Sequence, residues 1–281
     1  LSRETSILIN NWFMMYFLSV VLIGTVYPIF LDVLSSQKIS VGPPFYHKLI
    51  IPFLIPFLLI MAIGPKLKWI KSNLDDKIYL ISLLIISILL SILIVKNFSS
   101  NFLINTILIS SALYLFFITL RDFFNKGFKN LAQNTAHFGF SLLILSILFN
   151  SLFSSEIITN LKVGETFENT KTKIVFESIS QKEEKNYNSI VAKFTVQDSK
   201  GKLENLSPEL RIYNQPNIAT SEADIKTTLL SDKFIVINIV QNQDFFNVRY
   251  QVKPFMLWIW ISVILISFGG LISFTKKEYE K

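Results

Sequence analysis

Residues 132–153 read AQNTAHFGFSLLILSILFNSLF, a run of 22 residues without Asp, Glu, Lys or Arg. As a helix it is long enough to cross about 30 Å of hydrocarbon. About 100 residues without a comparable run follow it, and then a last apolar run at about 254–274. Working back toward the N-terminus, similar runs lie at about 12–33, 49–63, 78–95 and 102–120. The predicted fold is an α-helical membrane bundle of about six spans with an inserted all-β domain, a small sandwich or barrel. Its parts are a five-span region at 1–153, a β domain at 154–253, and a last helix with a basic tail at 254–281. The second span is short and holds Pro52 and Pro56, so a kinked or re-entrant segment is an alternative there.

Composition agrees. Of 281 residues, 51% are apolar and 26 are Phe, more than a soluble domain of this length carries. The net charge of +7 sits in short loops and forms no basic face with interleaved aromatics, which argues against nucleic acid. Lys66, Lys68, Lys71 and Lys77 lie after span two; Arg121, Lys126 and Lys129 lie after span four; Lys276, Lys277 and Lys281 form the tail. The alternate short loops hold only Lys38 with His47, and Lys96. By the positive-inside rule both termini are cytoplasmic and the β domain lies outside, in a Gram-negative periplasm. Trp12, Trp69, Trp258 and Trp260 fall near span ends, as interface anchors do. The first residue is Leu1 and no signal peptide follows, so the chain is expected to begin inside a longer protein.

Strand composition marks 173–179, 189–196, 234–239 and 245–252, with Asp198-Ser199-Lys200-Gly201 as a hairpin turn. Five or six short strands are expected.

Little in the chain supports chemistry. Its 0 cysteines exclude disulfides, thiolate metal sites and Cys nucleophiles. The β domain has carboxylates but no histidine to complete a hydrolytic triad. Of the two histidines, His47 sits at a span edge. His137 lies inside the fifth span, where ionisable groups are costly. Asn134 and Ser141 share its helical face, and Gly139 beside it admits a flat ligand or another helix. Two readings stand: a haem axial ligand through neutral imidazole, or a histidine hydrogen-bonded between helices.

Several motifs then resemble the C-terminal half of CcmF, a family of cytochrome c haem lyases, in order along nearly the whole chain. They are Ser2-Arg3-Glu4-Thr5 with Asn10-Asn11, Gly24-Thr25-Val26-Tyr27-Pro28, Ile39-Ser40-Val41-Gly42-Pro43-Pro44-Phe45-Tyr46 and Ala136-His137-Phe138-Gly139. In the β domain they are Asn186-Tyr187, Pro208-Glu209-Leu210-Arg211-Ile212-Tyr213 and Thr220-Ser221-Glu222-Ala223. Lys253-Pro254-Phe255, Trp258-Ile259-Trp260 and Gly269-Gly270 close the set.

The resemblance implies a part in covalent attachment of haem to apocytochrome c in the periplasm of a bacterial inner-membrane system. Its implied partners are the upstream half of the lyase, CcmH, CcmI and haem-loaded CcmE. It further implies a membrane b-type haem with His137 as one of two span ligands; its helical neighbours Asn134, Ser141 and Gly139 are then the candidate pocket. Pro208, Glu209, Arg211, Tyr213 and Glu222 become a partner or structural motif. The family's tryptophan-rich motif, its periplasmic haem-ligand histidines and its other span histidine are not in this sequence. The chain alone is therefore not expected to hold haem tightly or to act as an enzyme by itself. A haem or small-molecule transporter subunit and a non-catalytic scaffold are the alternatives.

Overall fold

A computed structural model of the chain describes residues 2–35, 39–69, 77–96, 101–125, 130–198, 201–240 and 243–276. Of the residues quoted above, Leu1, Lys38, Lys71, Lys126, Lys129, Ser199, Lys200, Lys277 and Lys281 lie outside these. The chain forms two units, one of residues 1–148 with 261–281 and one of 149–260.

The first unit is helical. Its elements are α1 (Arg3–Ser35), α2 (Pro43–Ile63), α3 (Lys77–Val95), α4 (Phe102–Asn125), α5 (Leu131–Phe153) and α6 (Met256–Lys276), the ends of α5 and α6 belonging to the second unit. All six are long and apolar enough to cross a membrane. Prolines at the first positions start α2, and the helix continues through Pro52 and Pro56 before a 3₁₀ turn at Gly64–Lys66.

Position in the bundle follows side-chain chemistry. Helix α3 is apolar all round and exposes Ile78, Ile81, Ile85 and Leu89, as a lipid-facing helix does. Helix α4 is central, with 56% of its apolar window buried against 22% or less for the others. Buried hydroxyls on these helices bond back to their own turns: Ser87 Oγ donates to Leu83 O at 2.8 Å and Ser111 Oγ to Leu108 O at 2.8 Å. That satisfies them without water and keeps the surface small enough for close packing.

Two glycines bring α5 and α6 together backbone to backbone. A Cβ at Gly139 would lie 2.9 Å from Ile266 N, and one at Gly269 would lie 2.7 Å from Ala136 N and 2.8 Å from Ala132 O. Those neighbours are backbone, so they cannot rotate away. At Gly270 a Cβ would meet nothing within 4 Å.

Among the described residues the second unit is a β-sandwich of ten strands, not five or six. They are β1 (Ser155–Leu161), β2 (Thr166–Glu168), β3 (Thr172–Glu183), β4 (Tyr187–Asp198), β5 (Leu203–Leu206), β6 (Glu209–Asn214), β7 (Asn217–Glu222), β8 (Asp224–Thr227), β9 (Ser231–Ile239) and β10 (Phe246–Pro254). One sheet runs β1-β10-β9-β8; the other runs β2-β3-β4-β6-β7, with β5 also on β4. The extra strands are short and lack an apolar run, so composition hides them.

Strands β5 and β6 lie end to end along one side of β4, against Phe194–Gln197 and Tyr187–Val191. The break between them is Ser207-Pro208, where Pro208 has no N–H to give the ladder. Its carbonyl still accepts from Ala192 N at 3.0 Å. Strand β4 turns inward Ala192, Phe194 and Val196, and Phe194 stacks on Phe176 with centroids 4.4 Å apart. Ile235, Ile237 and Val248 supply the opposing layer.

One charged group lies inside. Glu204 of β5 has a side chain only 2% exposed, 3.0 Å from Lys202 Nζ and 2.9 Å from Lys233 Nζ of β9, so the pair links the sheets. Burial alone would raise its carboxyl; the two ammoniums outweigh burial and hold it below the usual carboxylate range. Burial, and then the Glu204 charge, push the Tyr250 hydroxyl up.

Two outcomes follow. Gly269→Ala should destabilise the detergent-solubilised chain by about 1–3 kcal/mol through overpacking, whereas Gly270→Ala should be neutral or stabilising by up to about 1 kcal/mol; denaturant titration of each against wild type checks the contrast. Since the folded-state Glu204 carboxyl is depressed, its contribution is present at neutral pH and lost as pH falls through the folded value. Amide exchange in β5 and β9 should therefore accelerate on acidification in wild type, and Glu204→Gln should start faster at neutral pH and change less.

Candidate functional site

The first unit has a partly open cavity where the start of α1, the end of α2, the end of α4 and the start of α5 converge. It has two lobes, of about 70 Å³ and about 210 Å³. His137, Arg3, Met61, Pro65 and Gln133 line both. Thr119, Asp122, Asn130 and Asn134 complete the smaller lobe; Ser6, Ile7, Asn10 and Gly64 help to form the larger.

Each wall has a local cause. His137 and Gly139 lie about 200° apart around α5. Gly139 faces Ile266 of α6, so His137 is carried to the opposite side of the helix and is half-buried. Asn134, one turn below, donates from Nδ2 to Asp122 O at 3.2 Å, which ties α5 to α4. Ser141, one turn above, bonds Thr119 Oγ1 at 2.7 Å and donates to Phe138 O at 2.8 Å. Lys66 forms a half-buried ion pair with Asp122, joining the 3₁₀ turn to α4. Arg3 sets its guanidinium 5.0 Å above the centre of the Trp69 ring, and its N–H donates to Lys68 O at 3.0 Å.

Of the four residues expected around a haem, His137 and Asn134 line the cavity. Gly139 and Ser141 do not: the first is occupied by α6 and the second by Thr119 of α4. Four further polar residues, Arg3, Asn10, Asp122 and Gln133, face the cavity. Sequence reasoning missed these four because it ended the spans near residues 12 and 120. The signal was present: Arg3, Ser6 and Asn10 repeat at helical spacing, as do Thr119 with Asp122 and Gln133 with His137. His47 is exposed in the first turn of α2, away from this lining.

The β-domain residues also come together. Glu209, Arg211 and Tyr213 alternate along one face of β6, and Glu222 of β7 stands opposite Glu209. Arg211 Nε donates to Glu209 Oε2 at 3.1 Å, and its guanidinium lies 5.0 Å from the centre of the Tyr187 ring, itself 5.3 Å from Tyr213. The Glu209–Arg211 ion pair lies within strand β6. Pro208 is buried at the strand break.

Among the described residues no group of three or more His, Asp or Glu side chains could hold a metal ion by itself. The lining offers one imidazole, His137, beside the cation Arg3 and the amides of Asn130, Gln133 and Asn134. Both lobes fall below the roughly 300–1,000 Å³ of enclosed small-molecule pockets. These residues thus offer one imidazole as an iron ligand, and neither lobe by itself holds a whole porphyrin.

Residues 152–254 match the family model described as the CcmF C-terminal beta-sandwich. Over 99% of its length the chain is 28% identical to the cytochrome c-type biogenesis protein CcmF of Pseudomonas fluorescens, covering 44% of that protein. It is 27% identical to CcmF of Escherichia coli K12 across all of this chain and 45% of that one. A solved structure titled Cytochrome c Heme Lyase CcmF shares the fold, with a TM-score of 0.74, 21% identity, and coverage of 96% of this chain and 45% of that one. The chain thus spans less than half the length of the relatives it matches, and the resemblance to the C-terminal half of CcmF is borne out.

Proposed function

We propose that this chain, similar along its length to the C-terminal half of CcmF, takes part in cytochrome c maturation and contributes one axial ligand, His137, to a b-type haem in the membrane. The observation that carries the reading is the position of His137: half-buried within an apolar helix, turned from the α6 contact, and lining both lobes of a partly open cavity. A histidine is costly at such depth and binds iron as the neutral imidazole. Bound there, the haem would supply an iron centre able to change oxidation state next to haem being attached to apocytochrome c.

The chain's own residues hold and orient. Gly139 and Gly269 fix the rotation of α5 against α6. Asn134 and the Lys66–Asp122 pair brace the cavity floor. Ser141 and Thr119 lock α5 to α4 one turn away. Positioning of this kind is how a protein serves cofactor chemistry without a nucleophile of its own. The second axial ligand would come from protein outside this chain, in the part of the relatives' length that it does not span.

In this reading the chain sits in a bacterial inner membrane with its termini cytoplasmic and the β domain in the periplasm. It works beside CcmH, CcmI and haem-loaded CcmE on apocytochrome c. The Glu209–Arg211–Tyr213 face of β6, with Glu222, would be the side of the β domain that meets one of them.

Co-expression with a polypeptide covering the rest of the relatives' length should give a reduced b-type haem spectrum. His137→Ala should lose most of it, while Ser141→Ala, which removes only a helix-to-helix hydroxyl, should keep it. An unchanged spectrum in His137→Ala would remove the ligand role.

A further inference from the structure

The turn between β8 and β9 is Thr228-Leu229-Leu230-Ser231, with Leu229 and Leu230 as its two loop residues. Tight hairpin turns favour Gly, Asn, Asp or Pro, each for a backbone reason. Two leucines at the tip have no such reason. Their side chains are not in the core either: they are 70% and 67% exposed.

The tip is tied to the start of α6. Trp258 Nε1 donates to Leu229 O at 2.9 Å, and Phe255 N donates to Leu230 O at 2.9 Å. Phe255 takes a left-handed backbone conformation, φ 61°, at this junction. Thr228 and Ser231 close the turn, with Thr228 N to Ser231 O at 3.0 Å and Ser231 N to Thr228 Oγ1 at 3.1 Å. Both loop carbonyls thus have partners, as carbonyls near hydrocarbon require.

Length then sets the depth. The apolar part of α6 is Met256–Phe274, 19 residues. At 1.5 Å per residue it spans about 28 Å, no more than the hydrocarbon thickness of about 30 Å. The first turn of α6 has no length to spare and must lie at the membrane boundary. Trp258 and the 63%-exposed Trp260 are in that turn and the next residues, where indoles settle at the headgroup level. The tip bonded to Trp258 shares that level.

We propose that Leu229 and Leu230 insert into the lipid interface beside α6, so that the β8–β9 hairpin is a second membrane anchor for the β domain. The occupant is the acyl and headgroup boundary of the bilayer, not a protein. A membrane-facing patch rimmed by Trp explains exposed leucines that a water-facing turn would not tolerate so readily.

Because the sequence holds 0 cysteines, single-cysteine probes need no background removal. The full chain, reconstituted in phosphatidylcholine–phosphatidylglycerol vesicles, would carry a nitroxide at Leu230→Cys or, independently, at Leu229→Cys. Ile218→Cys on β7, 51% exposed, and Phe268→Cys on α6, 56% exposed, are the water-side and lipid-side references. Collision with oxygen relative to a water-soluble nickel chelate should be several-fold higher at 229 and 230 than at 218, and should approach the value at 268. A ratio equal to that at 218 would overturn the proposal, as would protection from both colliders, which would mean a protein contact.

Discussion

The contact of α5 with α6 through two glycines governs how the helical unit can be read. Where the Cβ of Gly139 or Gly269 would run into main-chain atoms of the facing helix, rotation of α5 has essentially one solution. In a bilayer, helices gain no hydrophobic drive from meeting each other, so shape fit of this kind replaces it. That single fixed rotation sends the His137 face away from α6 and toward the ends of α1, α2 and α4. The hydrogen bond from Asn134 and the one between Ser141 and Thr119 then act as vertical stops on the same helix. The direction in which His137 points thus depends on packing two residues away.

Much of this was legible from residue patterns. Six apolar runs became six helices because a hydrocarbon core allows few other solutions for the backbone. His137 stood out because ionisable groups are rare at such depth. What escaped was the polar end of the bundle. Arg3, Asn10 and Asp122 lie just past the apolar windows, where hydropathy stops seeing a helix although the helix goes on. Ser141 and Gly139 shared the expected neighbourhood but were claimed by neighbouring helices, and no single-chain periodicity reveals which facing helix will take a given residue.

The sandwich shows the same division. Alternating runs at 173–179, 189–196, 234–239 and 245–252 fall in β3, β4, β9 and β10, which supply most of the core. The short strands β2, β5, β7 and β8 owe their existence to neighbours, not to composition. Glu204 is a clear case: in sequence it is one more carboxylate in a polar segment. Only the approach of Lys233 from the other sheet makes it a buried, charge-paired group. Breaking such a pair by removing one partner is costly even where the intact pair adds little.

The chain enters the sandwich on β1, directly after α5, and leaves it on β10, directly before α6, and these two strands are hydrogen-bonded neighbours with Ser155 facing Val252. Entry and exit are therefore one strand spacing apart, about 5 Å. The two helices see the whole domain as nothing more than a long hairpin loop. An architecture with its doors side by side can gain, lose or exchange such a module without altering the geometry of the helices on either side, which is how compact domains come to sit inside unrelated scaffolds.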